Sequence, residues 1–446
     1  MLRQLLIACL LIVSASAIAD TMGNEFRVLF TRNFELNSRN CNLSITVVNP
    51  NDAAVNVALN YYGTLFDYKS MQYEMITVPA GGMVKQLFPQ FDAWEYMNGG
   101  FQQQFDTRIV VTTSLPVTLY ASNYLTQDGY AVGDTYLVLP YTMAGTSYSF
   151  TLPSPAPRTN DVIEYAIAYI IPTRKDVTVQ MNVGQWSEKR LIPFKVGSPV
   201  HYFAVPYTKN MKDPTFYITG DNDFLVVAAV SCIPSPIGNF DYAAFMPSPA
   251  VAPGKCFTDT PTPDNHPTDL VNARRFSFAA VKEGCDNSVD FYDDTRTQVT
   301  HPDGTIVKVD NLFGDRAIIK VIDMPSQPIR IGSTELGGTF LAGVPSTAQF
   351  VSGTTYFMSE TNMMTLYIIT DAVASLTMRL DGEVVAFSPE ILKIDGVQYH
   401  FTTQVVFSTT VPSVHKLDAS PGKYIFYLIG TVDNGHSALG YYSAYN

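Results

Sequence analysis

The sequence predicts an all-β protein: tandem Ig-like β-sandwich modules followed by a third, β-rich C-terminal domain. Three observations carry this. Strand-forming runs rich in Tyr, Phe, Val and Thr succeed one another almost end to end, and no segment holds a helical period over three turns. Charged residues are only 15% of the chain, against about 25% in an average soluble domain. Finally, one block recurs, as a modular architecture requires.

The first element is a leader. Arg3, the apolar run Leu5 to Val13 and the small-residue stretch Ser14 to Ala19 read as a secretory signal peptide over residues 1–19. The run is shorter than the roughly 20 residues that span a bilayer. The closing Gly440 to Asn446 is too polar for a glycolipid-anchor signal. A secreted, extracellular chain without a membrane anchor is therefore expected. Its 446 residues have room for about three domains of roughly 100–200 residues. Acidic residues outnumber basic ones by 40 to 28, a formal charge of −12. That balance repels phosphate backbones, so nucleic acid is excluded as an expected partner.

The recurring block is Leu43 to Asn60, which aligns without a gap on Tyr165 to Asn182 and places Pro50 on Pro172. Apolar residues alternate before the proline (Leu43, Ile45, Val47; Tyr165, Ile167, Tyr169) and after it (Val55, Val57, Leu59; Val177, Val179, Met181). Period two around a polar turn predicts a hairpin whose named positions face the core of its own module. Downstream, Ile76 to Pro89 is echoed by Phe194 to Pro206. Paired strand signals follow at Arg108–Thr113 and Pro116–Ala121, and again at Phe216–Asp221 and Phe224–Ala229. Tyr136 to Pro140 then matches Ala243 to Pro247. The predicted units are a first sandwich over residues 20–152, a second over 153–255, and a C-terminal sandwich over 256–446 that does not align with them. Pro249 to Pro267 reads as a linker. Within the last unit, Asp381-Gly382 predicts a tight turn between strands at Leu376–Leu380 and Val384–Phe387.

Cysteine chemistry is confined to Cys41, Cys232, Cys256 and Cys285 once Cys9 leaves with the leader. In an oxidising compartment four cysteines suggest two disulfides, with three pairings open. Cys232 with Cys256 is preferred, because both flank neighbouring strand-like runs, which leaves Cys41 with Cys285. No spacing matches a zinc site. Asn42-Leu43-Ser44 is a glycosylation sequon, making Asn42 a candidate acceptor.

The six histidines show no metal-ligand spacing, and no HExxH, GxSxG, GxGxxG or Walker loop is present. His436 beside Ser437 is the one Ser/His pair in sequence, and a turn histidine is the expected reading. Asp286, Asp290, Asp293 and Asp294 form an oxygen-rich cluster of the kind calcium takes, but their spacing departs from the EF-hand loop. A solvated acidic loop is expected there, and a hairpin turn at Gly220 to Asp223. Trp94 and Trp186 occupy comparable places in the two repeats; exposed, they would be sugar-stacking platforms, and core packing is expected instead. No catalytic residue, metal ligand or cofactor is expected, so the chain is read as not an enzyme.

The run Pro116 to Asn123, then Tyr136 to Pro140, then Ala144 to Tyr148 resembles the N-terminal region of the IgGFc-binding protein family, where a strand and a Leu-Pro step likewise precede a Gly-x-x-Tyr turn. Phe340 to Thr347, Leu376 to Gly382 and Tyr424 to Tyr442 are similar as well, so the resemblance covers nearly the whole chain after its leader. It implies an extracellular protein associated with mucus or a matrix, and for the namesake Fc binding. The sequence ends where that family's cysteine-rich von Willebrand-type modules would begin, so cross-linking into a gel is not expected. The expected function is a secreted, non-catalytic recognition or matrix protein whose partner is an extracellular protein or glycan. The alternatives are a secreted carbohydrate-active enzyme with accessory sandwiches and a purely structural spacer.

Overall fold

The chain begins with strands β1 (Gly23–Val28), β2 (Cys41–Val48), β3 (Val55–Tyr62), β4 (Met71–Val78), β5 (Met83–Phe88), β6 (Gly100–Gln104), β7 (Ile109–Gln127) and β8 (Tyr130–Val138). A computed structural model describes residues 21–33, 41–62, 70–88, 99–127, 130–157, 163–209, 212–235, 240–250, 264–280, 288–293, 298–302, 306–308, 314–321, 327–388, 391–432 and 437–446. The predicted leader, Trp94, Cys256, Cys285, Asp286, Asp294 and His436 lie outside the described residues.

The long strand β7 organises the first sandwich. Its first half, Ile109 to Thr113, pairs with β1 and β3, and its second half, Val117 to Gln127, pairs with β2 and β8. One strand therefore serves two sheets, with β4 outside β3 and β5 outside β2. The two strand signals read from sequence are one continuous strand that bends at Pro116. Proline is tolerated at such a corner because ladder pairing is interrupted there anyway.

The second sandwich repeats this plan. β9 (Gly145–Thr151), β10 (Tyr165–Pro172), β11 (Val177–Val183), β12 (Trp186–Ile192), β13 (Val200–Pro206), β14 (Thr215–Pro234) and β15 (Phe240–Phe245) take the places of β1 to β5, β7 and β8. The predicted hairpin turn at Gly220 to Asp223 lies inside β14, at its corner. Asp221 accepts the Thr178 backbone N–H and Asn222 donates to the Asp176 carbonyl. Turn-forming side chains here stabilise a change of sheet and not a reversal. The strand β9 opens the second unit, which therefore starts before the predicted boundary at residue 153.

Two further sandwiches, not one, fill the remainder. The third has β16 (Asp264–Asp269), β17 (Ala273–Ser277), β18 (Ser288–Asp293), β19 (Gln298–Pro302), β20 (Ile306–Lys308), β21 (Arg316–Val321), β22 (Ile329–Ser333) and β23 (Thr339–Gly343). Its sheets run β16-β21-β18-β19 and β20-β17-β22-β23, the same order with the long strand split into β21 and β22. The predicted linker thus gives way to a strand at Asp264, and Pro267 sits in the edge strand β16, where its missing N–H costs nothing. The fourth has β24 (Val351–Ser359), β25 (Met363–Thr370), β26 (Arg379–Leu380), β27 (Glu383–Val384), β28 (Ile391–Ile394), β29 (Val397–Phe407), β30 (Ser413–Val432) and β31 (Ser437–Tyr442). Here β30 is the long strand, bending at Pro421-Gly422, and β28 is an added edge. Of the predicted strand Leu376–Leu380, Arg379 and Leu380 form β26, whereas Leu376 and Thr377 belong to a single helical turn, Ala374–Thr377. The Asp381-Gly382 turn is as expected, with φ of 52° and 92°, the doubly positive pair that suits a two-residue hairpin.

The four sandwiches close into a ring. Their last strands meet at its centre: β8 packs on β15 and β31, and β23 packs on the same two. The described termini meet as well, Thr21 N–H donating to the Tyr445 carbonyl. Closure corrects the predicted phase of the second repeat. Ala166, Ala168 and Ile170 line that module's own core with Val177, Val179 and Met181, whereas Tyr165, Ile167 and Tyr169 join the cluster built around the first module. Both faces of β10 are buried, so alternation alone does not say which face is internal.

Polar groups seal the joints. Between modules one and two, Arg27 donates to the carbonyls of Pro172 and Phe194 and stacks over the Phe194 ring at 4.2 Å, while Arg108 is held by Asp106 at 2.7 Å. Between two and three, Ser277 donates to the Thr151 carbonyl and Arg275 pairs with Asp213. Lys320 pairs with Asp395 between three and four, and Lys85 with Glu360 between four and one.

Candidate functional site

The ring axis is built from buried groups of all four modules. Asp134 on β8 and Asp241 on β15 are equivalent positions, and both are buried. Asp241 accepts from the backbone N–H of Gly133, Tyr242, Thr339 and Ala438 and lies 3.1 Å from the Ser437 hydroxyl, so one carboxyl touches all four modules. Burial pushes it up to about 8, against the pull of those donors. Burial also raises Asp134 well above the carboxylate range. At this axis lies a cavity of about 30 Å³, lined by Tyr136, Phe245, Leu341 and Tyr442 among others. A small-molecule site has roughly 300–1,000 Å³, so this cavity is far smaller than one. Ser437 belongs to the axis, donating to the Gly133 carbonyl, while its sequence neighbour His436 lies outside the described residues.

The other sequence candidates disperse. Cys41 and Cys232 are buried and no disulfide joins the two; burial pushes the Cys41 thiol up to about 12. Their candidate partners Cys256 and Cys285 lie outside the described residues. Asn42 is exposed at the start of β2, while Leu43 and Ser44 beside it are buried. Within the expected acidic loop, Asp290 and Asp293 lie in strand β18 and are buried, while Asp286 and Asp294 lie outside the described residues. Trp186 is half-buried, packing edge-on against Phe203 at 6.2 Å.

Two surface features remain. The first is β4, the outer strand of its sheet among the described residues. Met71, Tyr73 and Met75 alternate along its outward face and are 51%, 63% and 53% exposed, an apolar stripe on a strand whose outer edge has no ladder partner among the described residues.

The second is a Ser/His/Asp constellation in the fourth module. The His415 Nδ1 is 2.8 Å from Asp381 Oδ2, and its Nε2 lies 3.0 Å from Ser413 Oγ and 3.1 Å from Ser408 Oγ. Asp381 occupies the left-handed position of the Asp-Gly turn, and its other oxygen accepts the Lys416 N–H at 2.8 Å. Burial raises its pKa, but the bonds from His415 and Lys416 prevail and hold it below the usual carboxylate range. Ser413 and His415 are two apart on β30 and share a face. The His415 ring stacks on Phe357, its cross-strand neighbour. With a carboxylate on Nδ1, the imidazole keeps its proton there and leaves Nε2 as an acceptor for a serine hydroxyl. Sequence reading missed this group because its members come from two separate turns and a strand. The one signal was the Asp381-Gly382 turn, which fixes where Asp381 points.

Neither a protein-family model nor a curated protein matches the chain.

Proposed function

We propose that the protein is a secreted extracellular recognition or matrix-associated protein that binds a protein partner along β4. The supporting observation is the stripe Met71, Tyr73 and Met75 on a strand that is outermost in its sheet among the described residues. An extended segment of a partner adds there as a further strand, with main-chain bonds supplying affinity and the three side chains supplying selectivity. Protein is favoured over glycan because the stripe is apolar. A partner with a basic surface is favoured because the chain carries −12. The leader-like start and the exposed Asn42 of the sequon support export, and the resemblance to the IgGFc-binding region makes immunoglobulin Fc the first partner to titrate.

The test is surface plasmon resonance on the immobilised chain, first with an Fc fragment and then with an array of extracellular proteins. The reading predicts an analyte whose affinity falls more than tenfold in a Tyr73→Glu, Met75→Glu double variant with an unchanged melting temperature. Binding that the variant leaves intact, or no binding at micromolar concentrations, overturns it.

A further inference from the structure

We propose that Asp381, His415 and the Ser408–Ser413 pair form an acyl-transfer site that hydrolyses activated esters with an apolar acyl group. Each spacing lies within hydrogen-bond reach for a nucleophile, its base and the base's orienting carboxylate. The histidine is doubly fixed. Its side chain is 11% exposed and lies against Phe357, while Asp381 is anchored through both oxygens and a return bond from its own N–H to the Lys416 carbonyl. A histidine that served only as a surface tether would not require two hydroxyls to converge on one nitrogen.

The substrate class follows from the surroundings. Ser408 follows the end of β29, and its N–H is bonded to the Asn362 carbonyl. Beside it Phe407 is 73% exposed, directly opposite Met363 at 57%, and Val405 at 50% continues the same strand face. This apolar surface suits an acyl chain. The reaction is ordinary acyl transfer. The serine Oγ bonds to the ester carbonyl carbon as its proton passes to His415 Nε2. The carbon–alkoxy bond then breaks, and the leaving alcohol takes that proton. Water next attacks the acyl-serine, giving a proton to Nε2 that returns to Oγ when the acid departs, so ester and water become acid and alcohol. The site is shallow and the Asp381 side chain is 47% exposed, so its field is screened by water and only esters with good leaving groups are expected to turn over.

The test treats the full chain with a fluorophosphonate probe and with p-nitrophenyl butyrate, and locates the adduct by peptide mass. The expected adduct is on Ser408 or Ser413. Its rate should rise with pH in the unmodified chain, fall at least 100-fold in His415→Ala, and fall about tenfold or more in Asp381→Asn, as the triad roles imply. Ser408→Ala and Ser413→Ala identify the nucleophile and leave the imidazole in place. Thermal melts establish that each variant is folded, which separates a lost nucleophile from a lost module. An adduct elsewhere, no adduct, or labelling that a folded His415→Ala variant retains would sink the proposal, and none of these outcomes bears on binding along β4.

Discussion

Replacing Gly338 with alanine should open the ring. An ideal Cβ at this position falls 1.9 Å from the Ala438 nitrogen and 2.3 Å from the Ser437 carbonyl carbon. These are backbone atoms of β31, in another module, so no side chain can swing aside. An ordinary contact is about 3.4 Å or more, and restoring it means separating modules three and four by roughly 1.5 Å. The Asp241 carboxyl spans that joint, accepting the Thr339 N–H at 2.9 Å and the Ala438 N–H at 3.0 Å, and the displacement breaks at least one of those bonds. Orphaning a buried donor costs about 1–3 kcal/mol, and overpacking a closed interface adds about 1–3 kcal/mol. The expected destabilisation is therefore about 2–6 kcal/mol. Urea unfolding followed by tyrosine fluorescence measures it. Gly353→Ala is the comparison: Gly353 has a φ of +81° and nothing within 4 Å of its would-be Cβ, so it reports backbone strain alone, about 1 kcal/mol. Equal losses in the two variants would refute the steric argument, and a Gly338→Ala midpoint within error of the wild type would refute ring closure itself.

The axis also predicts a pH dependence. The folded state raises Asp241 to about 8 and Asp269 to about 7, well above an ordinary carboxylate, in both cases by burial. Between the ordinary carboxylate range and those values the folded chain holds protons that the unfolded chain has released, so stability falls as pH rises toward 7 to 8 and levels off beyond. The melting temperature should be lower at pH 9 than at pH 5, and Asp241→Asn, which cannot ionise, should flatten that decline. Tyr120→Phe removes the bond to Ser443 that crosses from module one to module four, and chemical denaturation should show a loss of about 1 kcal/mol. Because one core cluster draws on all four modules, calorimetry should give a single transition; two resolved transitions would contradict a closed ring. If the chain is exported through a glycosylating pathway, its mass should drop by one N-glycan in Asn42→Gln, since that side chain is exposed.

Much of the scaffold is readable in the residues. The block starting at Leu43 and its copy starting at Tyr165 do form the same pair of strands, and the Leu139-Pro140 and Met246-Pro247 steps do follow the closing strands of the first two modules. Similarity fades in the third and fourth copies, where a split strand, an added edge and altered loops change the spacing while the strand order persists. The corners of β7 and β14 misled for a definite reason. Pro116 and the Asp221-Asn222-Asp223 run carry turn chemistry, and a strand changing sheets has the same local needs as a chain reversing. The Ser/His/Asp group is invisible in one dimension, because its distances are set by the pairing of β24 with β30 and by the Asp381 turn.

The sequence by itself determined that this chain is β throughout and repeats its unit, because period two and turn chemistry are local properties of consecutive residues. Only the tertiary structure decided how many units there are, which face of each strand is internal, and that they close on themselves. The apolar residues of β10 on both faces lose water, one set to their own core and the other to a neighbour. The hydrophobic effect rewards the area removed from water whichever neighbour covers it. That choice belongs to the assembled ring and is not written in the alternation.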